Sequence, residues 1–460
     1  MRKRVLGTIA ALTLGAGAAF AQSPTPSPGA GLLPAGGPAV GEIVPPQFGG
    51  GPEAGGMPMG DPGMMAPGYP MGYHGQPGWQ DAFAQPGAQP QATHWYLDSK
   101  FLLWFVKAQP ANVPFVSTSA PQDSGLAGRP TTTLLHSRSD LGYNLFSGFH
   151  INGGWYRGAD RRYGFDFGGM MFERKSNVFF AQSDTNGIPV IARPFVDAST
   201  GGPAVLTVAQ QGLASGAVLV SSSNEMFGAE ANLLANLYRS CPEDACKWTI
   251  DGLLGFRYFE VHEDLQIRSQ STILGGGTPR FNGAAIFNPA IVSVTDVFDV
   301  YNRFYGGQIG TRATVDCGDW SFGFSSKLAF GVMNQVLDVS GRSDLLDLSR
   351  GLSASSVGGL YANALNVGRY RNDEFAIIPE FGISLGRNWS SWLTTAIGYN
   401  YLYINRVSRP GNAVTNVVNP AIIPTSQSFG AGAVVPVPNR VLAQDEFWAQ
   451  GVTFHMIVKY

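Results

Sequence analysis

Residues able to do chemistry are sparse in this chain. There are six histidines, and only His136 and His262 have carboxylates close by in sequence, Asp140 for the first and Glu263 and Asp264 for the second. A histidine held against a carboxylate can take a proton from water and so drive hydrolysis. No arrangement of such groups on facing segments is evident, and no enzymatic activity is expected. Met57, Met59, Met64, Met65 and Met71 with His74 offer soft donors of the kind that hold copper, but their spacing follows no fixed pattern and a plain tether explains them better. Cys241 and Cys246 flank Pro-Glu-Asp-Ala and either close a small turn disulfide, leaving Cys317 over, or stand unpaired. Zinc would need two more ligands nearby. No glycine-rich phosphate loop precedes a helix and no metal spacing appears, so no cofactor is expected. A formal net charge of -2 without a basic patch leaves out nucleic acid as a partner.

What remains is a set of charged and polar residues spaced by twos within oily stretches. Asp98, Lys100, Asp166, Glu230, Asp251, Arg257, Gln308, Arg312, Lys327 and Glu380 each alternate with large apolar neighbours. Alternation at period two is a strand with two different faces. If one face meets lipid, a Lys or Arg there would cost about 2–4 kcal/mol at mid-depth, so these ten point into a lumen. Mixed charges in a lumen either line an aqueous path or pair into a network that fills it.

The elements that would position them form a transmembrane barrel. Only 13% of residues are charged, against about a quarter in a soluble domain. No apolar run of helical membrane length follows the leader. That leader, 1–21, has the basic start Arg2-Lys3-Arg4, an apolar run from Val5 to Phe20 and the small-residue site Ala19-Phe20-Ala21 of a signal peptide. Residues 22–92 are rich in Pro, Gly and Met and read as a disordered periplasmic segment. From 93 to 460 strands recur. The clearest has Trp320, Phe322, Phe324, Leu328 and Phe330 on one face and Ser321, Gly323, Ser325, Lys327 and Gly331 on the other. The second strand is read from Leu141 through Ile151 and the sixth from Tyr301 to Val315. The last, Gly451 to the aromatic terminus Tyr460, is the closing strand. The fold class is all-β, an antiparallel up-and-down barrel of about ten strands, or twelve if Ile291–Val297 and Val336–Ser340 form extra ones.

Loop length sorts by parity. Links after even strands are short, and those after odd strands run to roughly 30–50 residues, as periplasmic turns and external loops do in such barrels. Trp95, Trp155, Tyr163, Tyr238, Trp248, Trp320, Trp389, Trp392 and Tyr460 all fall at the short-turn ends, which predicts an interface girdle.

Three segments resemble the putative β-barrel porin family seven, outer-membrane barrels of planctomycetes. They are Gly255-Phe256-Arg257-Tyr258-Phe259 with Glu263 and Leu265 following, Asn302-Arg303-Phe304-Tyr305-Gly306-Gly307-Gln308-Ile309-Gly310, and Val407-Ser408-Arg409-Pro410-Gly411 followed by Val418-Asn419-Pro420. The likeness covers roughly Trp95 to Tyr460 and implies an outer-membrane location and a barrel fold. Acidic residues expected near Asn412 and Thr415 are missing, which weakens an ion-related role for that loop. Gly306-Gly307 either bends its strand, the favoured reading, or relieves crowding at the wall. Arg409-Pro410-Gly411 reads as a rigid surface turn, with Arg409 pairing at the loop mouth.

Two functions are therefore weighed. One is a porin or channel for small solutes, with a mixed-charge lumen and long external loops. The other is a filled structural or surface-interaction barrel. In both the partners are outer-membrane lipid and, during biogenesis, the barrel-assembly machinery, and the oligomeric state is unassigned.

Overall fold

The computed structural model describes residues 94–460 except 112, 137–140, 159, 242 and 432–441. The expected signal peptide, the Pro/Gly/Met-rich segment with its methionines and His74, and Asp140 lie outside the described residues. Ten staves make the wall: β1 (His94–Val106), β2 (Phe146–Arg157), β3 (Tyr163–Phe172), β4 (Ala214–Arg239), β5 (Cys246–Ile273), β6 (Ala290–Cys317), β7 (Trp320–Asp347), β8 (Gly368–Asn388), β9 (Leu393–Ser408) and β10 (Gln444–Lys459). Each pairs antiparallel with its sequence neighbours. Pairing of β1 with β10 closes the ring, and Trp95 and Tyr460 exchange backbone hydrogen bonds at the seam. Closure leaves no open edge, which is the condition for strands to cross hydrocarbon.

The staves Ala214–Arg239 to Gly368–Asn388 run 21 to 28 residues, far beyond the roughly 9–11 that a bilayer needs. Ile291–Val297 and Val336–Ser340 are the upper parts of β6 and β7, so the count is ten and not twelve. The tall staves also shorten two loops at the far end, 274–289 and 348–367, below the expected 30–50 residues. The second stave starts later than expected, because Leu141 and Tyr143 leave the wall and are buried under the loops.

Outward-facing side chains mark the lipid band. Tyr258, Tyr305, Val332 and Phe375 lie side by side across four staves in register. The next outward row is Glu260, Arg303, Asn334 and Asp373, with Arg303 Nε donating to Glu260 at 2.7 Å and Asn334 Nδ2 to Asp373 at 2.7 Å. Apolar gives way to paired polar groups in one step, as expected where hydrocarbon ends. At the short-turn end Trp95, Trp248, Trp320, Trp389, Trp392 and Tyr460 are all exposed. From Trp248 to Tyr258 is a bilayer's length of tilted strand.

Two sequence readings need correction. Cys246 bonds to Cys317, leaving Cys241 free and exposed, so the Cys241–Cys246 turn disulfide is not formed. The reason is register: Cys246 and Cys317 stand directly opposite on adjacent staves, 4.3 Å apart at Cα. Gly306-Gly307 answers instead to crowding at the wall, and pairing runs through both neighbours without a register shift. The Phe304 ring lies over Gly306, where a Cβ would come within 2.5 Å of both the ring and the Phe330 carbonyl oxygen.

The lipid band makes a paired prediction. Phe324→Arg, an outward residue within the band, should destabilise the barrel folded in lipid vesicles by about 2–4 kcal/mol. Asn334→Arg, in the polar row above it, should change stability by less than about 1 kcal/mol. Urea titrations followed by the gel mobility of unboiled samples would show the difference.

Candidate functional site

Moving up the lumen from the short turns, the first storey is charged. All ten sequence-predicted lumen residues, Asp98, Lys100, Asp166, Glu230, Asp251, Arg257, Gln308, Arg312, Lys327 and Glu380, face inward there, and all but Asp251 pair with another of the ten. Arg312 donates to Asp166 at 2.8 Å and to the Tyr96 hydroxyl at 3.1 Å. Tyr96 and Asn232 also donate to Asp166. Lys327 pairs with Glu230 and Arg257 with Glu380. Tyr156 and Asn236 donate to Asp251, and Asp98 lies beside Lys100 and His455. Four cations thus meet five carboxylates in a water-poor space, where hydrogen-bonded pairing is what makes burial tolerable. A cavity of about 130 Å³ remains beside Asp98, Lys100 and His150.

The second storey is apolar. Every stave contributes: Leu102 and Trp104 from β1, Phe146, Met170, Met226, Phe259, Phe304, Met333, Ile378, Leu402 and Phe447 from the others, all 7% exposed or less. Inward side chains here form one buried apolar cluster, with the Trp104 Nε1 buried among them. Sequence reading assigned the inner face to polar groups and missed this layer. Its signal was present in runs that are apolar at successive positions, such as Phe101 to Val106, which mark strands buried on both faces.

Above it two wall carboxylates hold two loop arginines. Glu263 of β5 accepts from Arg409 Nε at 2.8 Å and Nη2 at 2.6 Å, both residues being fully buried. Arg409 also donates to the carbonyl oxygens of Lys107 and Ala108, tying the 107–145 loop to the 409–443 loop. Beside it the Asn302 side chain takes both backbone groups of Ser408, donating to its oxygen at 2.9 Å and accepting from its nitrogen at 2.8 Å. A Cβ at Gly411 would sit 1.6 Å from the Pro110 carbonyl oxygen, so only glycine lets these loops cross. Arg409-Pro410-Gly411 is therefore an internal latch and not a surface turn. The three segments singled out in the sequence meet here.

The second latch was not foreseen. Asp296 of β6 pairs with Arg193 and accepts from the backbone nitrogens of Tyr361 and Ala362 at 2.9 and 2.7 Å. The Arg193 guanidinium lies 5.0 Å from the Tyr361 ring centroid. These loop residues belong to a cap. Strands Val116–Thr118, Thr133–His136, Ile191–Asp197, Pro203–Ala209 and Val417–Val418 form a small sheet, and the apolar cluster of Phe115, Ile191, Tyr361 and Val418 packs on Leu265, Phe298 and Leu337 of the inner wall.

The two histidine candidates separate from their sequence partners. Alternation sends Glu263 inward and His262 outward, where it is held between Glu225 (2.6 Å) and Asp299 (2.7 Å) and stacks on Tyr301. Asp264, also outward, pairs with Arg174. His136 sits in the cap between the Phe115 and Phe179 rings, where burial lowers its pKa and favours the neutral ring.

A closed ring of ten tilted staves with a lipid band and a lumen filled by loops and side chains defines a transmembrane β-barrel of the porin-like class. The chain belongs to the family described as "Putative beta barrel porin-7", which matches residues 96–460. Among solved structures it is similar to the outer membrane protease OmpT from Escherichia coli, at 8% identity and TM-score 0.35, over 80% of this chain and 97% of that one. It is also similar to the CymD monoaromatic hydrocarbon channel at 7% identity and TM-score 0.15, over 81% and 88%. An in-vitro folded OmpT of Vibrio cholerae gives 7% identity and TM-score 0.11, over 82% and 99%. No curated protein matches.

The Glu263–Arg409 latch gives a double-variant prediction. Arg409→Met alone should cost about 3–5 kcal/mol by stranding the buried carboxylate, read from guanidinium unfolding of vesicle-folded protein. Combining it with Glu263→Leu should recover a large part of that loss. A double variant no more stable than Arg409→Met would show that the two groups are not coupled.

Proposed function

We propose that this chain is an outer-membrane barrel whose lumen is sealed and whose long loops build a cap on the outer side, so that it serves as a structural or surface-interaction protein and not as a standing solute pore. The short turns then face the periplasm, lipid surrounds the band between the tryptophans and the Glu260 row, and the barrel-assembly machinery inserts the folded wall. One observation carries the reading: all ten staves contribute buried apolar side chains to a single layer across the lumen. An aqueous path for ions needs polar lining throughout, since an apolar constriction excludes water.

A second reading has its own observation. The charged storey with its cavity of about 130 Å³ is the kind of vestibule a gated channel would use. On that reading the apolar layer and the cap are the gate, and solute passage requires their displacement.

Planar-bilayer recording separates the two. Purified barrel whose gel mobility changes on boiling should show no discrete conductance steps, while an open trimeric porin in the same bilayers does. Discrete steps from this protein would overturn the sealed reading and favour the gated one.

A further inference from the structure

The cap and the upper inner wall do not meet everywhere. Between them lies a cavity of about 410 Å³, within the range of about 300–1,000 Å³ that small-molecule sites occupy. Its walls come from five parts of the chain: Leu206 and Val208 of the cap sheet, Ile273 of β5, Val294 of β6, Ile286 from the 274–289 loop, and Ile423 from the 409–443 loop. Most of the lining is aliphatic, and several of these side chains are buried against one another.

The polar residues in the lining are hydroxyl-bearing serines and threonines, with Gln427 and Arg280. Ser271 Oγ is already used, donating to the Val208 oxygen at 2.9 Å. Thr425 Oγ1 is buried with no hydrogen-bond partner among the described residues. Arg280 is the one charged residue among the described lining residues, and of its donors Nη1 is engaged, with the Gly283 oxygen at 2.8 Å. No carboxylate is among the described lining residues. An aliphatic chamber with a cation and a spare hydroxyl, and without an anion, selects for a molecule with an apolar body and an acidic head.

We propose that this cavity binds a medium-chain carboxylate, with its alkyl chain between Leu206, Val294 and Ile423 and its carboxylate toward Arg280. The site lies in the cap and does not depend on whether the lumen conducts, so it stands or falls apart from the sealed-barrel reading.

Isothermal titration of sodium decanoate into the full barrel in lipid nanodiscs, with empty discs subtracted, tests it. One saturable site per chain is expected. Val294→Trp and, independently, Leu206→Trp fill the cavity and should each weaken binding by about tenfold or more while keeping the folded gel mobility. Arg280→Ala should weaken decanoate by about fivefold or more yet leave decanol binding unchanged, because only the acid uses the guanidinium. Absence of saturable binding, binding unaffected by both tryptophan variants, or decanoate affinity untouched by Arg280→Ala would each overturn the proposal.

Discussion

The ring must close, and much else in the molecule follows from that. Inside hydrocarbon a backbone N–H or C=O without a partner costs several kcal/mol, so the first and last staves have to find each other. They do so along eleven residue pairs from Tyr96 with Lys459 to Val106 with Ala449. Once the ladder is continuous, each side chain has only two directions, and the two directions meet different solvents. The step from the Tyr258 row to the Glu260 row on four staves and the inward turn of every predicted lumen charge are both outcomes of that one constraint.

Closure also creates a lumen, which must then hold water or be filled. This chain fills it in layers of different chemistry. The lower layer is a network in which four cations meet five carboxylates, the middle layer is apolar, and the upper layer is loop backbone held by two arginine latches. Pairing buried charges is seldom a net source of stability, because desolvation offsets most of the attraction. The latches are better understood as specifying which loop sits where: Arg409 reaches a wall carboxylate and two carbonyls of another loop at once, so a misplaced loop would leave Glu263 buried without a cation, held only by Asn224.

Period-two patterning was enough to read the class of fold and the face on which the ten polar residues lie, because lipid enforces alternation on every stave, but it left the stave count at ten or twelve. The pattern stopped being informative where lipid stops. Above the band Ile291–Val297 and Val336–Ser340 looked like separate strands, since nothing in their composition says that a stave continues past the membrane. Residues close in sequence misled for the same reason that alternation succeeds: His262 and Glu263 are neighbours in the chain and on opposite sides of the wall. The disulfide went to the cross-strand partner, because register brings Cys317 to Cys246 while Cys241 is carried away on the turn. Arg193 with Asp296 gave no local signal at all, being 103 residues apart and joined only through the folded cap.

The three segments that mark the family can be understood together from where they meet. Arg257 and Gln308 stand in the charged storey, Phe259 and Phe304 in the apolar layer, and Glu263 and Asn302 at the latch, so two adjacent staves carry all three layers in the same order. The third segment supplies the loop side of that latch through Ser408, Arg409 and Gly411. An open aqueous pore needs polar lining at every depth. Here the marked residues instead span the whole depth of the filling and pin a loop on top of it. On the sealed-barrel reading, these three segments carry the packing that closes the lumen.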